Sequence, residues 1–167
     1  MKKVFALSVS LLVCMLITFA CTKKTTTTTT TPAPSSTSSV PSNTLTTNFT
    51  VDGTAISNPL TYTATSGGNY AVTGEDGNNS KPQILLVFPG TSIPASGTYP
   101  IVNTYGASPS AGHCELILTT TSGSYPASSG NVTVVAGSHN SAYFTNITCA
   151  SSNTLSPTYT VTGNISY

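Results

Sequence analysis

Residues 83–88 read QILLVF, apolar at every position after Gln83. Side chains of a β-strand alternate between two faces. A run without alternation therefore predicts a strand covered on both sides, the most deeply buried of the fold. Outward from it, period-two segments rich in Thr, Val, Tyr and Ile recur. They are LTTNFTV (45–51), LTYTAT (60–65), NYAVTG (69–74), GTYPIV (97–102), CELILTTT (114–121), NVTVVA (131–136), AYFTNITC (142–149) and TYTVTGNISY (158–167). Between them lie DG, SGGN, EDGNN, SGS and AGSHN, in which Gly or Asn readily takes the positive φ of a tight turn. No stretch carries the i, i+3, i+4 spacing of an amphipathic helix. The expected fold class is all-β, an antiparallel β-sandwich of about eight or nine strands over residues 45–167.

Charge is scarce in that segment. Asp52, Glu75, Asp76 and Glu115 stand against Lys81 alone, a net charge of −3, and the chain has no arginine. Lys2, Lys3, Lys23 and Lys24 all precede the sandwich. Without a basic patch there is nothing to neutralise a phosphate backbone, which excludes electrostatically driven nucleic-acid binding.

The inventory for catalysis is equally short. A hydrolase needs a nucleophile with a base, or two opposed carboxylates. Neither Gly-x-Ser-x-Gly nor His-Glu-x-x-His occurs. His113 and Glu115 stand two apart, on one face of an expected strand, as an acid–base pair or as an exposed couple. His139 falls in the expected hairpin loop AGSHN. The segment GEDGNNS (74–80) gathers Glu75, Asp76 and Asn78, oxygen donors of the kind that hold Ca²⁺. It lacks the later bidentate Glu of a calcium loop and equally suits a plain turn. No other cofactor is expected.

Cys114 and Cys149 form an even pair, which in an exported protein is normally bridged. By alternation, Cys114 shares a face with Leu116 and Leu118, and Cys149 shares one with Tyr143 and Ile147. A structural disulfide between them is expected, and closing that loop would contribute about 3–4 kcal/mol in the chain-entropy description. Eight tyrosines accompany no tryptophan. Exposed rings beside amides and hydroxyls would suit a sugar, although alternation sends about half of them to the core.

The N-terminal segment sets the expected address. Lys2 and Lys3 precede an apolar run from Val4 to Ala20, the layout of a secretory signal peptide. The run is short for a membrane span, which needs about 20 apolar residues. The stretch ITFAC (17–21) resembles the lipobox of bacterial lipoproteins, in the looser form of the Bacteroidota, with Thr18 and Phe19 inside the box. That resemblance implies cleavage after Ala20 and acyl chains on Cys21. Cys14, preceded by Val13, lies too early in the run. A plain cleaved signal and an uncleaved anchor are the alternatives. Each buried acyl CH₂ contributes about 0.8 kcal/mol, so several chains hold a protein firmly on a membrane. No aspartate follows Cys21 to resemble an inner-membrane retention signal, which points to the outer membrane.

Residues 21–44 then read as a lipidated end and a Thr/Ser/Pro-rich tether, too poor in apolar side chains to offset the entropy of ordering. Such a tether reaches on the order of 25 Å as a coil and roughly 70 Å stretched. Within 45–167, FTVDG, GTYPI, SGNVTV and YTVTGNISY together look similar to small Bacteroidota lipoprotein domains of unknown function. This implies the fold and the anchor and carries over no active site. The functional expectation is a lipid-anchored cell-envelope protein acting as a non-enzymatic binding or structural module. Its expected partners are the membrane, through the lipid, and a glycan or an envelope protein. A carbohydrate-binding accessory lipoprotein is the alternative, and a hydrolase the third reading.

Overall fold

The computed structural model describes residues 46–104, 106–152 and 156–167. The expected signal peptide, Cys21 and the tether lie outside the described residues, as does Tyr105. The described chain is all-β. Its strands are β1 (Asn48–Val51), β2 (Thr54–Ala55), β3 (Pro59–Ser66), β4 (Asn69–Asp76), β5 (Gln83–Pro89), β6 (Gly97–Pro100), β7 (Glu115–Thr120), β8 (Gly123–Pro126), β9 (Asn131–Val135), β10 (Ser141–Ala150) and β11 (Thr158–Ser166). They form two antiparallel sheets packed as a β-sandwich, one ordered β2-β1-β11-β10-β9-β6 and the other β3-β4-β5-β7-β8. All nine expected strands are present. β2 and β8 are additional, each too short to show alternation in the sequence.

The core lies between the sheets. Phe49, Val132, Val134, Phe144, Val161 and Ile165 reach in from the six-stranded sheet. Tyr70, Val72, Ile84, Leu86, Phe88, Leu116 and Leu118 meet them from the other. Complete burial of a side chain the size of Leu or Phe stabilises by roughly 1.5–3 kcal/mol, so these residues fix which face of each strand turns inward. Two bridges tie the sheets together. Ile101, past β6, pairs with Cys114 ahead of β7, and Ala127, past β8, pairs with Cys149 in β10.

QILLVF is not covered equally on both faces. Ile84, Leu86 and Phe88 are buried at 0, 0 and 1% exposure, while Leu85 and Val87 are only half-buried. The reason is layering. β5 is the middle strand of its sheet, but a second sheet covers one side only. On the outer side, Leu85 stands between Thr73 and Ile117, and Val87 between Ala71 and Glu115. Part of that outer face is crossed by the chain between β6 and β7, where the Thr104 N–H donates to Glu115 Oε1 (3.2 Å) and the Asn69 side-chain amide donates to Ser108 Oγ (2.9 Å).

A second departure lies in β10. Its pairing with β11 shifts register between Phe144 and Ile147. Asn146 sits there at φ +51°, its N–H donating to Thr162 Oγ1 at 2.8 Å. One extra residue in a strand reverses its alternation. Ala142 and Phe144 therefore point inward before the bulge, and Ile147 and Cys149 after it, whereas Tyr143 faces out. Uninterrupted alternation puts Tyr143 on the face of Cys149, and the bulge overturns that expectation.

Opposite Phe144, Gly163 lies between β10 and β1 with φ +150°. A Cβ there would collide with the Asn48 carbonyl and come within 2.5 Å of Phe49 Cα. Both the dihedral and the space demand glycine. Gly163→Ala should destabilise the domain by roughly 2–4 kcal/mol, adding backbone strain to overpacking. Chemical denaturation of the two proteins measures this, and an unchanged midpoint would contradict the close β1–β11 approach.

Candidate functional site

At one end of the sandwich the β1–β2 hairpin, the β4–β5 loop and the β7–β8 turn surround an open cleft of about 450 Å³. Val51, Ile56 and Tyr159 give it an apolar floor that rests on the core. Thr54, Ser57, Thr121 and Ser122 supply hydroxyls, and Lys81 and Asp76 the charge.

The local chain explains this arrangement. The β4–β5 loop is pinned by the Ser80 N–H to Asp76 O (2.7 Å) and the Asp76 N–H to Pro82 O (3.1 Å). The Gly77 N–H reaches both Ser57 O (3.2 Å) and Asn58 O (3.0 Å), and a side chain at Gly77 would strike the Asn58 carbonyl. Asp76 completes the clamp, accepting the Ser57 N–H on Oδ2 and the Asn78 N–H on Oδ1, both at 2.9 Å. These backbone donors, Ser57 first and Asn78 next, hold its carboxyl below the ordinary aspartate range. Asp76 is thus a structural fastener between β1–β2 and β4–β5, with both oxygens occupied.

The residues considered for calcium divide accordingly. Glu75 and Asp76 are successive residues of β4 and point to opposite sides. Glu75 accepts the Gln83 side-chain amide at 3.0 Å on the outer face, and Asn78 meets Asp76 through its backbone. Glu75, Asp76 and Asn78 do not converge on one point. Among the described residues no group of three or more His, Cys, Asp or Glu side chains is placed to hold a metal ion.

His113 and Glu115 also have separate environments. His113 lies ahead of β7, with Nδ1 near Ser110 Oγ (3.1 Å) and Ala111 O (3.2 Å). Glu115 is 3% exposed, beneath the segment carrying Thr104. His139 lies in the loop joining β9 and β10.

Cys114 and Cys149 are both buried, as alternation requires, but they are free thiols and the expected disulfide is not formed. Each belongs to a different seam between the sheets, Cys114 bridged with Ile101 and Cys149 with Ala127. Cys114 Sγ donates to Tyr99 O at 3.6 Å. Cys149 is hydrogen-bonded to the Leu118 backbone. The thiols are thus held in separate hydrogen bonds, and burial pushes each pKa up to about 12.

The described tyrosines form no flat platform. Tyr70 and Tyr125 are buried, and Tyr99, Tyr159 and Tyr167 pack against the core. Tyr143 is half-buried on the outside of the six-stranded sheet, whereas Tyr62 is 51% exposed.

Tyr62 belongs to a second feature, the outer edge of β3. This eight-residue strand pairs with β4 along its whole length. Among the described residues no strand pairs with its other edge. Seven of its eight residues are exposed. Its sequence, PLTYTATS, has no charge, no interior proline and no bulge. Natural sheets usually protect an edge with one of those devices or with a covering segment.

Compared with known families, curated proteins and solved structures, the chain finds no match. The cleft and the open edge therefore rest on geometry alone. Sequence reasoning did not single out either, although Lys81 stood out as the only cation of the segment.

The two thiols provide a direct check. Alkylation of the full chain without reductant, followed by peptide mass mapping, should leave Cys114 and Cys149 unmodified in the native state and label both in denaturant. A Cys114–Cys149 cross-linked peptide would restore the disulfide.

Proposed function

We propose that this chain is a lipid-anchored cell-envelope protein whose β-sandwich is a non-enzymatic interaction module, taking a protein partner by strand addition along β3. The observation that carries this reading is the long, uncharged edge of that strand, which no strand among the described residues pairs with. Such an edge offers a row of backbone N–H and C=O groups to an extended segment, with side-chain positions on alternate faces to select it. Beside the edge, Leu60 and Tyr62 lie exposed on the outer face, and beyond Thr73 of β4 the same row carries Leu85 and Ile117. The acids do not contribute a reactive set to this reading, because Asp76, Glu75 and Glu115 are each engaged by neighbouring amides.

The address rests on the N-terminal sequence, with acylation at Cys21, a tether to residue 44 and the outer membrane as the expected location. Cys21→Ala should abolish acyl labelling and release the protein from the membrane fraction. A variant that stays labelled and membrane-bound would remove the anchor from the proposal.

Strand addition is tested at Thr63, an exposed β3 position whose partner in β4 is Val72. A photo-crosslinker at Ala64, in cells, should give an adduct of defined mass that disappears when Thr63 is replaced by lysine. The same crosslinker at Thr148, on the other sheet, should not give it. Lysine on an edge hinders a second strand while leaving the existing ladder in place. An adduct indifferent to Thr63→Lys would exclude β3 as the docking edge.

A further inference from the structure

We propose that the end cleft binds a carboxylated saccharide, with Lys81 receiving its carboxylate. This site is separate from the β3 edge and stands independently of strand addition there.

The first consideration is charge. Lys81 is the only cation among the described residues, and no carboxylate there forms an ion pair with it. Its ammonium has three donors to satisfy. The carboxylates near the cleft are already committed. Asp76 accepts the Ser57 and Asn78 amides, and Asp52 Oδ1 accepts the Thr160 N–H at 2.7 Å. Glu75 faces the outside of the sheet with Gln83. In a domain of net negative charge, the cleft is the one place where a carboxylate meets an unpaired cation. With no arginine and no second cation beside Lys81, the cleft offers one positive charge, which the single charge of a carboxylate matches.

The second consideration is the rest of the wall. A pyranose has hydroxyls around its rim and C–H groups on its faces. Ser57, Thr121 and Ser122 present hydrogen-bonding groups at the mouth, while Tyr159 offers part of a ring at the floor. That ring is braced edge-on by Tyr125, with centroids 4.8 Å apart. A cleft of about 450 Å³ falls within the roughly 300–1,000 Å³ typical of small-ligand sites. The Asp76 clamp fixes the loop that carries Lys81, so the site is formed before the ligand arrives and less ordering entropy opposes binding.

The experiment is titration calorimetry on the full chain in detergent micelles, with glucuronate, glucose and acetate as separate probes. Glucuronate should bind, and both glucose and acetate should bind at least about tenfold more weakly, the loss expected when one charged hydrogen bond or the sugar contacts are absent. Lys81→Gln should weaken glucuronate by about the same factor and Lys81→Arg by less, with thermal melts matching the parent. No heat with glucuronate at millimolar concentration would overturn the site. Equal binding of glucose would overturn the role of charge, and equal binding of acetate the role of the sugar. If Lys81→Gln does not fold, Thr121→Val on the exposed turn carries the test. A several-fold loss of glucuronate affinity supports the site, and unchanged affinity overturns it.

Discussion

The structure depends on the pairing of β11 between β1 and β10. That strand contributes Val161 and Ile165 to the core and holds the two halves of the six-stranded sheet together. Its partner β1 lies more than a hundred residues earlier in the chain, so the contact closes a very long loop. Loop-closure entropy grows only slowly with length, which makes such a contact tolerable once neighbouring contacts form cooperatively. The requirement is close backbone approach, and Gly163 meets it at the crossing of all three strands. The bulge at Asn146 lies on the other side of β11 and lets β10 keep apolar side chains inward on both sides of the irregularity.

Most of this sandwich was legible because its strands are long and alternate clearly. What escaped was two-dimensional. A strand's position within a sheet is not encoded in its own residues, so PLTYTATS reads alike as an edge or an interior strand. QILLVF looked covered on both sides because its outer residues are apolar too. Those residues lie in an outer apolar strip beside Ile117, not under a second layer. The Cys149 face was read correctly for Ile147 and wrongly for Tyr143, because a one-residue insertion into a ladder has no dependable signature when Asn is common throughout the chain.

The polar residues show how a domain so poor in charge uses the few acids it has. Asp76 and Glu115 each accept a loop backbone N–H that would otherwise lie unpaired, and Asp52 accepts the Thr160 N–H of β11 just past the end of β1. An unsatisfied amide in a partly buried position costs about 1–3 kcal/mol, so acids in these places hold connections together. The GEDGNNS cluster looked like a set of ligands because sequence places its oxygens side by side, and strand geometry separated them. Lys81 is left without such a task, which distinguishes the cleft from the rest of the surface.

The central placement of β11 also orders events in time. A chain emerging from a ribosome or a translocation pore presents β1 through β10 before β11. Until β11 arrives, β1 and β10 have no shared neighbour, and Phe49 and Phe144 lack the strand that joins their sheet. The six-stranded layer is therefore withheld until residues 158–166 are available.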